Sequence, residues 1–367
     1  MKQSWINPAN VSLVALGTIL FILIVQSGWN PLVLAKPGSQ YSMLESNESE
    51  GYDGQFNLYI ALNPNPDEII NSLDVPAYRY QRILYPLLAR SISLGQSTWV
   101  PWILPLLSLA AYYLSVQRLS RMLSNWGQNS WFALAYSLWV GITLSLRLDL
   151  AEPLAFGFVI FAINEHYQGR EKRSWAYYLL AIFTKETMLV FAAGQLIVYV
   201  VKKEWKKFLY LGSLITISYA AFQYWLFNTF GQFGLGSGGI RATSFEWIPF
   251  NGIWRIGEFG FGLLLTFLVL YLPLAIVPSL MGLRNSLRKA MQAPAELVTI
   301  NLFLQSLLLF FLPFSLYREP IGAFRMLIGL LLAWILFAAR YDHKKVLRYA
   351  MFGISLNIIL VLELISL

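Results

Sequence analysis

Apolar runs of about 15 to 25 residues recur along the whole chain. A helix rises about 1.5 Å per residue and needs about 20 apolar residues to cross a hydrocarbon core of about 30 Å, so runs of this length read as helices that span a bilayer. Composition agrees, because 57% of the 367 residues are hydrophobic and only 13% are charged, about half the charged fraction of an ordinary soluble domain. The chain has no cysteine, which excludes a disulfide framework, a thiol nucleophile and a Cys-ligated metal. His166 and His343 both lie in basic connecting segments. The net charge of +8 does not argue for nucleic acid, since membrane proteins gather Lys and Arg on cytoplasmic loops for topological reasons.

Spans are read at 11–25, 97–116, 131–146, 150–163, 208–227, 259–283, 297–314, 326–339 and 351–365. The first is followed by Trp29, an interfacial residue type. A cleaved signal peptide is disfavoured by a single n-region lysine, Lys2, and by the lack of a small-residue cleavage site. The expected architecture is all-α and polytopic, about nine full spans in one domain covering 1–367. Its first outer loop, 30–96, carries short amphipathic helices and seven acids between Glu45 and Asp74.

The positive-inside rule orients these spans. With the N-terminus inside, 17 of 27 Lys+Arg fall on cytoplasmic loops, against five of 19 acids, so the long acidic loop faces outward. That assignment requires segment 176–201 to begin and end inside, because Arg170–Arg173 and Lys202–Lys207 flank it. It is then a re-entrant hairpin turning at Thr184, Lys185 and Glu186, with a first arm of about 13 Å. Broken backbone at that depth must be buried in protein or line a cavity. A single straight span is the alternative, and it would invert every later loop. No internal repeat of the transporter kind is visible. The GLGSGG run at 234–239 lacks the lysine and strand–helix context of a phosphate-binding loop.

Four outer segments carry residues suited to chemistry. In Gly51-Tyr52-Asp53-Gly54-Gln55-Phe56 a lone acid sits between glycines and aromatics, placing Asp53 to face a concave site or to cap a turn. In Asp74-Val-Pro-Ala-Tyr-Arg-Tyr-Gln-Arg-Ile-Leu-Tyr-Pro, Arg79 and Arg82 suit phosphate, which a guanidinium grips in bidentate fashion; juxtamembrane anchoring is the other reading. In Arg147-Leu-Asp-Leu-Ala-Glu-Pro, Asp149 and Glu152 stand three apart, a spacing that shares a helical face, and serve either an acceptor or metal, or a helix cap. Late in the chain Arg318, Glu319 and Arg325 reach the same outer surface, with interfacial snorkelling as the bland alternative. Lys185 and Glu186 lie within the membrane, where ionisable residues are expensive and functional by default; an internal Lys–Glu pair would satisfy them.

One carboxylate and several cations on one face match transfer from an anionic lipid-linked donor to a hydroxyl. The words YDGQF, PAYRYQRILYP and TKE, with a first-loop acid and a late outer arginine, resemble the lipid-linked sugar glycosyltransferases of the GT-C superfamily. The likeness is to bacterial members distantly similar to GPI and protein mannosyltransferases. The resemblance implies Asp53 as catalytic base, Asp149 or Glu152 as the second-loop acid, and Arg325 or Arg318 as the late cation. Tyr52, Gln55, Arg79, Arg82 and Lys185 join them toward donor or lipid phosphate. It implies a polyprenyl-phosphate sugar as donor, a glycan, lipid or protein as acceptor, and a bacterial inner membrane with the site facing the periplasm. No cofactor is firmly implied; Asp53-Gly stands where many members have adjacent carboxylates, which weakens but leaves open a divalent cation, Mg2+ or Mn2+. A transporter or flippase of lipid-linked saccharide, and a non-catalytic assembly factor for a surface polysaccharide, are the rival readings.

Overall fold

A computed structural model describes residues 5–42, 49–293 and 295–358. Every regular element among them is helical. Among the described residues four helices are long and apolar enough to cross a membrane: α1 (Pro8–Gln26), α5 (Val100–Asn125), α11 (Phe261–Ala290) and α13 (Pro320–Arg340). Between α1 and α5 the long loop folds into short helices, of which α2 (Gly54–Leu62), α3 (Pro76–Tyr80) and α4 (Leu84–Ile92) build the site. After α5 come α6 (Val140–Arg147), α7 (Glu152–Tyr167), α8 (Glu171–Thr184), α9 (Leu189–Val201), α10 (Trp205–Phe230) and, after α11, α12 (Leu297–Phe310).

The core forms around α13, whose residues are almost all buried although its mean hydropathy suits lipid. Helices α6 and α12 pack against it, while α5 and α8 pack against α7. Large apolar side chains left exposed along α10 and α11, such as Ile217, Tyr224, Leu265 and Val269, mark a face suited to lipid rather than water.

Several runs differ from their expected form. The run at 131–146 is not one helix: a 3-10 turn Ser130–Ala133, a single α turn Leu134–Ser137 and an extended Trp139 precede α6. Here the indole of Trp139 donates to Phe324 O of α13 at 2.9 Å, a tertiary bond that no local sequence signal announces. The helix expected from 326 begins at Pro320, a favoured first helical residue, so Arg325 lies inside α13. Beyond Phe310 the chain leaves α12 and turns into a short helix Phe314–Arg318. The last run has a 3-10 helix at Met351–Asn357, and its part beyond Ile358, like Lys2, Glu45 and Glu48, lies outside the described residues.

Segment 171–201 is two helices folded back on each other. Tyr199 donates to Glu171 Oε2 at 2.6 Å and the Trp175 indole donates to Tyr199 OH at 2.9 Å, so the two open ends meet. The first arm has 14 residues, about 21 Å of helix, longer than the arm read from the sequence. Neither glycine nor proline makes the break. Lys185 is extended, at φ −158° and ψ 123°, and a 3-10 turn Glu186–Met188 follows. Ion pairs of Lys185 with Glu152 and of Glu186 with Arg82 hold that turn. At the other end of the bundle Gln128–Asp342 (2.9 Å), Tyr167–Glu296 (3.0 Å) and Lys207–Glu171 (3.4 Å) gather the basic connecting segments into one layer.

Candidate functional site

Opposite that basic layer, three sequence-distant segments meet: the start of α2, the elbow before α7 and the α8–α9 turn. At the elbow Asp149 adopts a left-handed φ of 52°. The carbonyl of Leu148 then points into the first turn of α2, where a Cβ on Gly54 would sit 2.1 Å from it. Only glycine admits that approach. Asn57 Nδ2 of the same helix donates to Asp149 O at 3.2 Å. Asp53, at the N-cap position of α2, is thereby fixed at the edge of a cleft, and its carboxylate makes no cap bond.

The carboxylate is spent on arginines instead. Asp53 Oδ1 lies 3.0 Å from Arg79 Nη1 and Oδ2 lies 2.9 Å from Arg325 Nη1. Arg79 is gripped from behind by Asp74, through Nε at 2.7 Å and Nη2 at 2.8 Å, and its guanidinium lies over Phe56. On the other side Arg325 Nε donates to Glu152 Oε1 at 2.6 Å, and Lys185 Nζ reaches the same oxygen at 2.6 Å. Six side chains thus alternate in sign: Asp74, Arg79, Asp53, Arg325, Glu152, Lys185. Beside them Arg82 forms a two-point pair with Glu186, at 2.8 and 2.6 Å, and donates to Tyr78 OH at 2.6 Å. Buried charges persist only when paired, and the alternation provides a partner for each.

The cleft they line is narrow, with a free volume of about 20 Å³. A second, more apolar cavity lined by Phe156, Met188, Phe191, Leu308 and Met326 meets it at Lys185 and Arg325. Burial alone would raise the Asp53 carboxyl, but Arg79 and Arg325 overcome that and hold it well below the usual carboxylate range.

Asp149 faces away from the cleft. Because it precedes α7 in a left-handed conformation, it does not share a helical face with Glu152, contrary to the spacing argument. Its Oδ1 lies 2.5 Å from Tyr85 OH, and that hydroxyl lies 2.8 Å from Leu104 O. A hydroxyl has one hydrogen and a carbonyl only accepts. Both contacts are satisfied when Tyr85 donates to Leu104 O and a protonated Asp149 donates to Tyr85. Burial pushes Asp149 up to about 7, in keeping with that assignment.

Of the residues singled out in the sequence, Asp53, Arg79, Arg82, Glu152, Lys185 and Arg325 converge here, and Tyr52 OH accepts from Arg325 Nη1 at 3.4 Å. Gln55 is occupied with the loop backbone, accepting from Gly38 N at 3.0 Å and donating to Glu50 O at 2.7 Å. Arg318 is exposed and lies over Phe314, outside the cluster. Lys185 and Glu186 do not pair with each other; each pairs across the fold. Asp74, Tyr78 and Tyr85 join the site beyond the residues expected from the sequence, and the DVPAYRY spacing puts Asp74 five residues from Arg79. The run at 234–239 passes beside the site: Ile240 N donates to Asp74 Oδ2 at 3.3 Å, and a Cβ on Gly239 would sit 3.3 Å from both Arg79 Nη2 and Asp74 Oδ2.

Among the described residues no three His, Cys, Asp or Glu side chains converge to hold a metal ion. Each carboxylate of the cluster is separated from the next by a cation, so a divalent ion does not fit this arrangement. No family model, curated protein or solved structure matches the chain.

Proposed function

We propose that the chain is a membrane glycosyltransferase that moves a sugar from a polyprenyl-phosphate donor to a hydroxyl acceptor, with inversion and with Asp53 as general base. The observation that carries the reading is the junction of the two cavities at Lys185 and Arg325. There a donor phosphate would meet cations beside the apolar side chains of Phe156, Phe191 and Leu308. Arg79, Arg82, Lys185 and Arg325 surround the position where charge develops on the leaving group, which is where fixed cations act most strongly.

The step balances without a cofactor. The acceptor oxygen forms a bond to the anomeric carbon and gives its proton to Asp53, while the anomeric carbon–oxygen bond to phosphate breaks and its electron pair leaves on the lipid phosphate. A phosphate departs without protonation, so one carboxylate suffices, unlike the pair that glycoside hydrolysis needs. In this reading the chain has about nine spans, the α8–α9 hairpin is re-entrant, and the Asp53 cleft opens at the non-cytoplasmic face of a bacterial inner membrane. The basic layer at the other end supports that orientation. The acceptor is a glycan, lipid or protein hydroxyl.

The test is incubation of the purified protein with a panel of radiolabelled polyprenyl-phosphate sugars and detection of released lipid phosphate. Release that depends on an added acceptor supports the reading. Transport of the intact lipid-linked sugar across vesicles, with no release, would replace it by a flippase.

A further inference from the structure

The central link of the charge chain is also the one most open to solvent. The Asp53 side chain is 31% exposed, whereas those of Asp74, Arg79, Arg325, Glu152 and Lys185 are 1–9% exposed. An anion entering the cleft therefore meets Asp53 first. Asp74 holds Arg79 through Nε and Nη2, and Glu152 holds Arg325 through Nε. Arg79 Nη1 and Arg325 Nη1 both meet Asp53, which bridges them with its two oxygens, and Arg325 Nη1 also reaches Tyr52 OH at 3.4 Å. A phosphodiester offers the same pair of oxygens and the same single negative charge. The bridge is thus a carboxylate occupying the position a donor phosphate would take.

Resting on the lipid-phosphate reading above, we propose that Asp53 is released as a base only when the donor arrives. The donor's phosphate takes Arg79 Nη1 and Arg325 Nη1 from it, and the freed carboxylate turns to the acceptor hydroxyl. While bridged, Asp53 has both oxygens committed to guanidinium groups and its basicity is drained by them. Once displaced, it regains the basicity of an ordinary carboxylate and accepts the acceptor's proton as the sugar is transferred. The further negative charge that appears on the departing phosphate falls between the two arginines that Asp53 has vacated. The empty site consequently lacks a competent base, and the donor precedes the acceptor.

Binding separates this device from a general charge effect. The probe is methyl farnesyl phosphate, a diester whose single charge does not titrate, with farnesol as the neutral control, on the full-length protein in detergent. Asp53→Asn removes the competitor and should bind the diester about tenfold tighter than wild type, the size of one charge-assisted partner; Asp53→Ser should do the same. Asp74→Asn removes an equal charge one link away without vacating either Nη1, and its affinity should not rise. Farnesol should not distinguish the four proteins. Equal tightening in Asp53→Asn and Asp74→Asn, or none in the Asp53 variants, overturns the exchange while leaving the donor reading in place. Failure of wild type and both Asp53 variants to bind the diester overturns both.

Discussion

The carboxyl groups in and behind the cleft divide by protonation. Asp53 and Glu152 sit among cations, whereas Asp149 has only the Tyr85 hydroxyl and the protein interior around it. Asp149 has a folded-state pKa of about 7 against an ordinary 3.8, so the folded protein keeps a proton that the unfolded chain releases. This group's contribution to stability is therefore complete below about pH 4, declines as pH rises toward 7, and is level above. Thermal unfolding in detergent at stepped pH should show that decline in wild type and not in Asp149→Asn, whose amide still bonds Tyr85. Glu152 is the opposite case, since one oxygen serves two cations. Glu152→Gln leaves Lys185 buried without its ion-pair partner and Arg325 with Asp53 alone, and should cost about 3–5 kcal/mol in denaturant unfolding. Adding Lys185→Met should recover part of that loss, because one unpaired cation is then removed.

At the scale of elements, the site depends on how α2 seats against the elbow before α7. A methyl at Gly54 would enter the Leu148 carbonyl at 2.1 Å, so Gly54→Ala must move the first turn of α2 and Asp53 with it. A stability loss of about 1–3 kcal/mol is expected from the clash, with a larger loss of transfer than of stability; activity equal to wild type in a folded protein would contradict that seating. The elements also mark how far the sequence was legible. Apolar period and length reveal α1, α5, α11 and α13, with ends up to nine residues from those read, because those helices satisfy their own backbone. The break at Trp139 has no counterpart in the span read at 131–146, whereas the one at Lys185 falls in the expected turn. The turn at Lys185 is readable from the basic stretches that flank 176–201 and from the cost of charge at membrane depth. Each break is held by a side-chain bond to a distant helix, Phe324 in one case and Glu152 in the other, and no local signal encodes a partner so far away. For the same reason Asp53, Arg79, Arg82, Glu152, Lys185 and Arg325 were visible as residue types in suggestive segments, but the order in which they pair was not. The spacing of Asp149 and Glu152 misled, because a left-handed residue between helices cancels helical phase.

For the whole molecule, the account requires the Asp53 cleft and the basic layer to lie on opposite sides of a bilayer. The chain has no native cysteine, so single cysteines beside Asp53, at Lys185 and at Lys203 can be probed in intact cells with a membrane-impermeant thiol reagent. Labelling beside Asp53 and none at Lys203 is expected, and the reverse pattern would overturn the orientation. The cluster has a chemical purpose in this account because its one accessible carboxylate stands between two arginines beside an apolar cavity. That claim is tested most directly by transfer from a polyprenyl-phosphate sugar in wild type and Asp53→Asn, each checked for folding and for donor binding. Asn keeps the shape but accepts no proton, so released lipid phosphate should fall by about a hundredfold or more while donor binding is retained or tightened. Near-normal transfer by a folded Asp53→Asn protein would contradict the account.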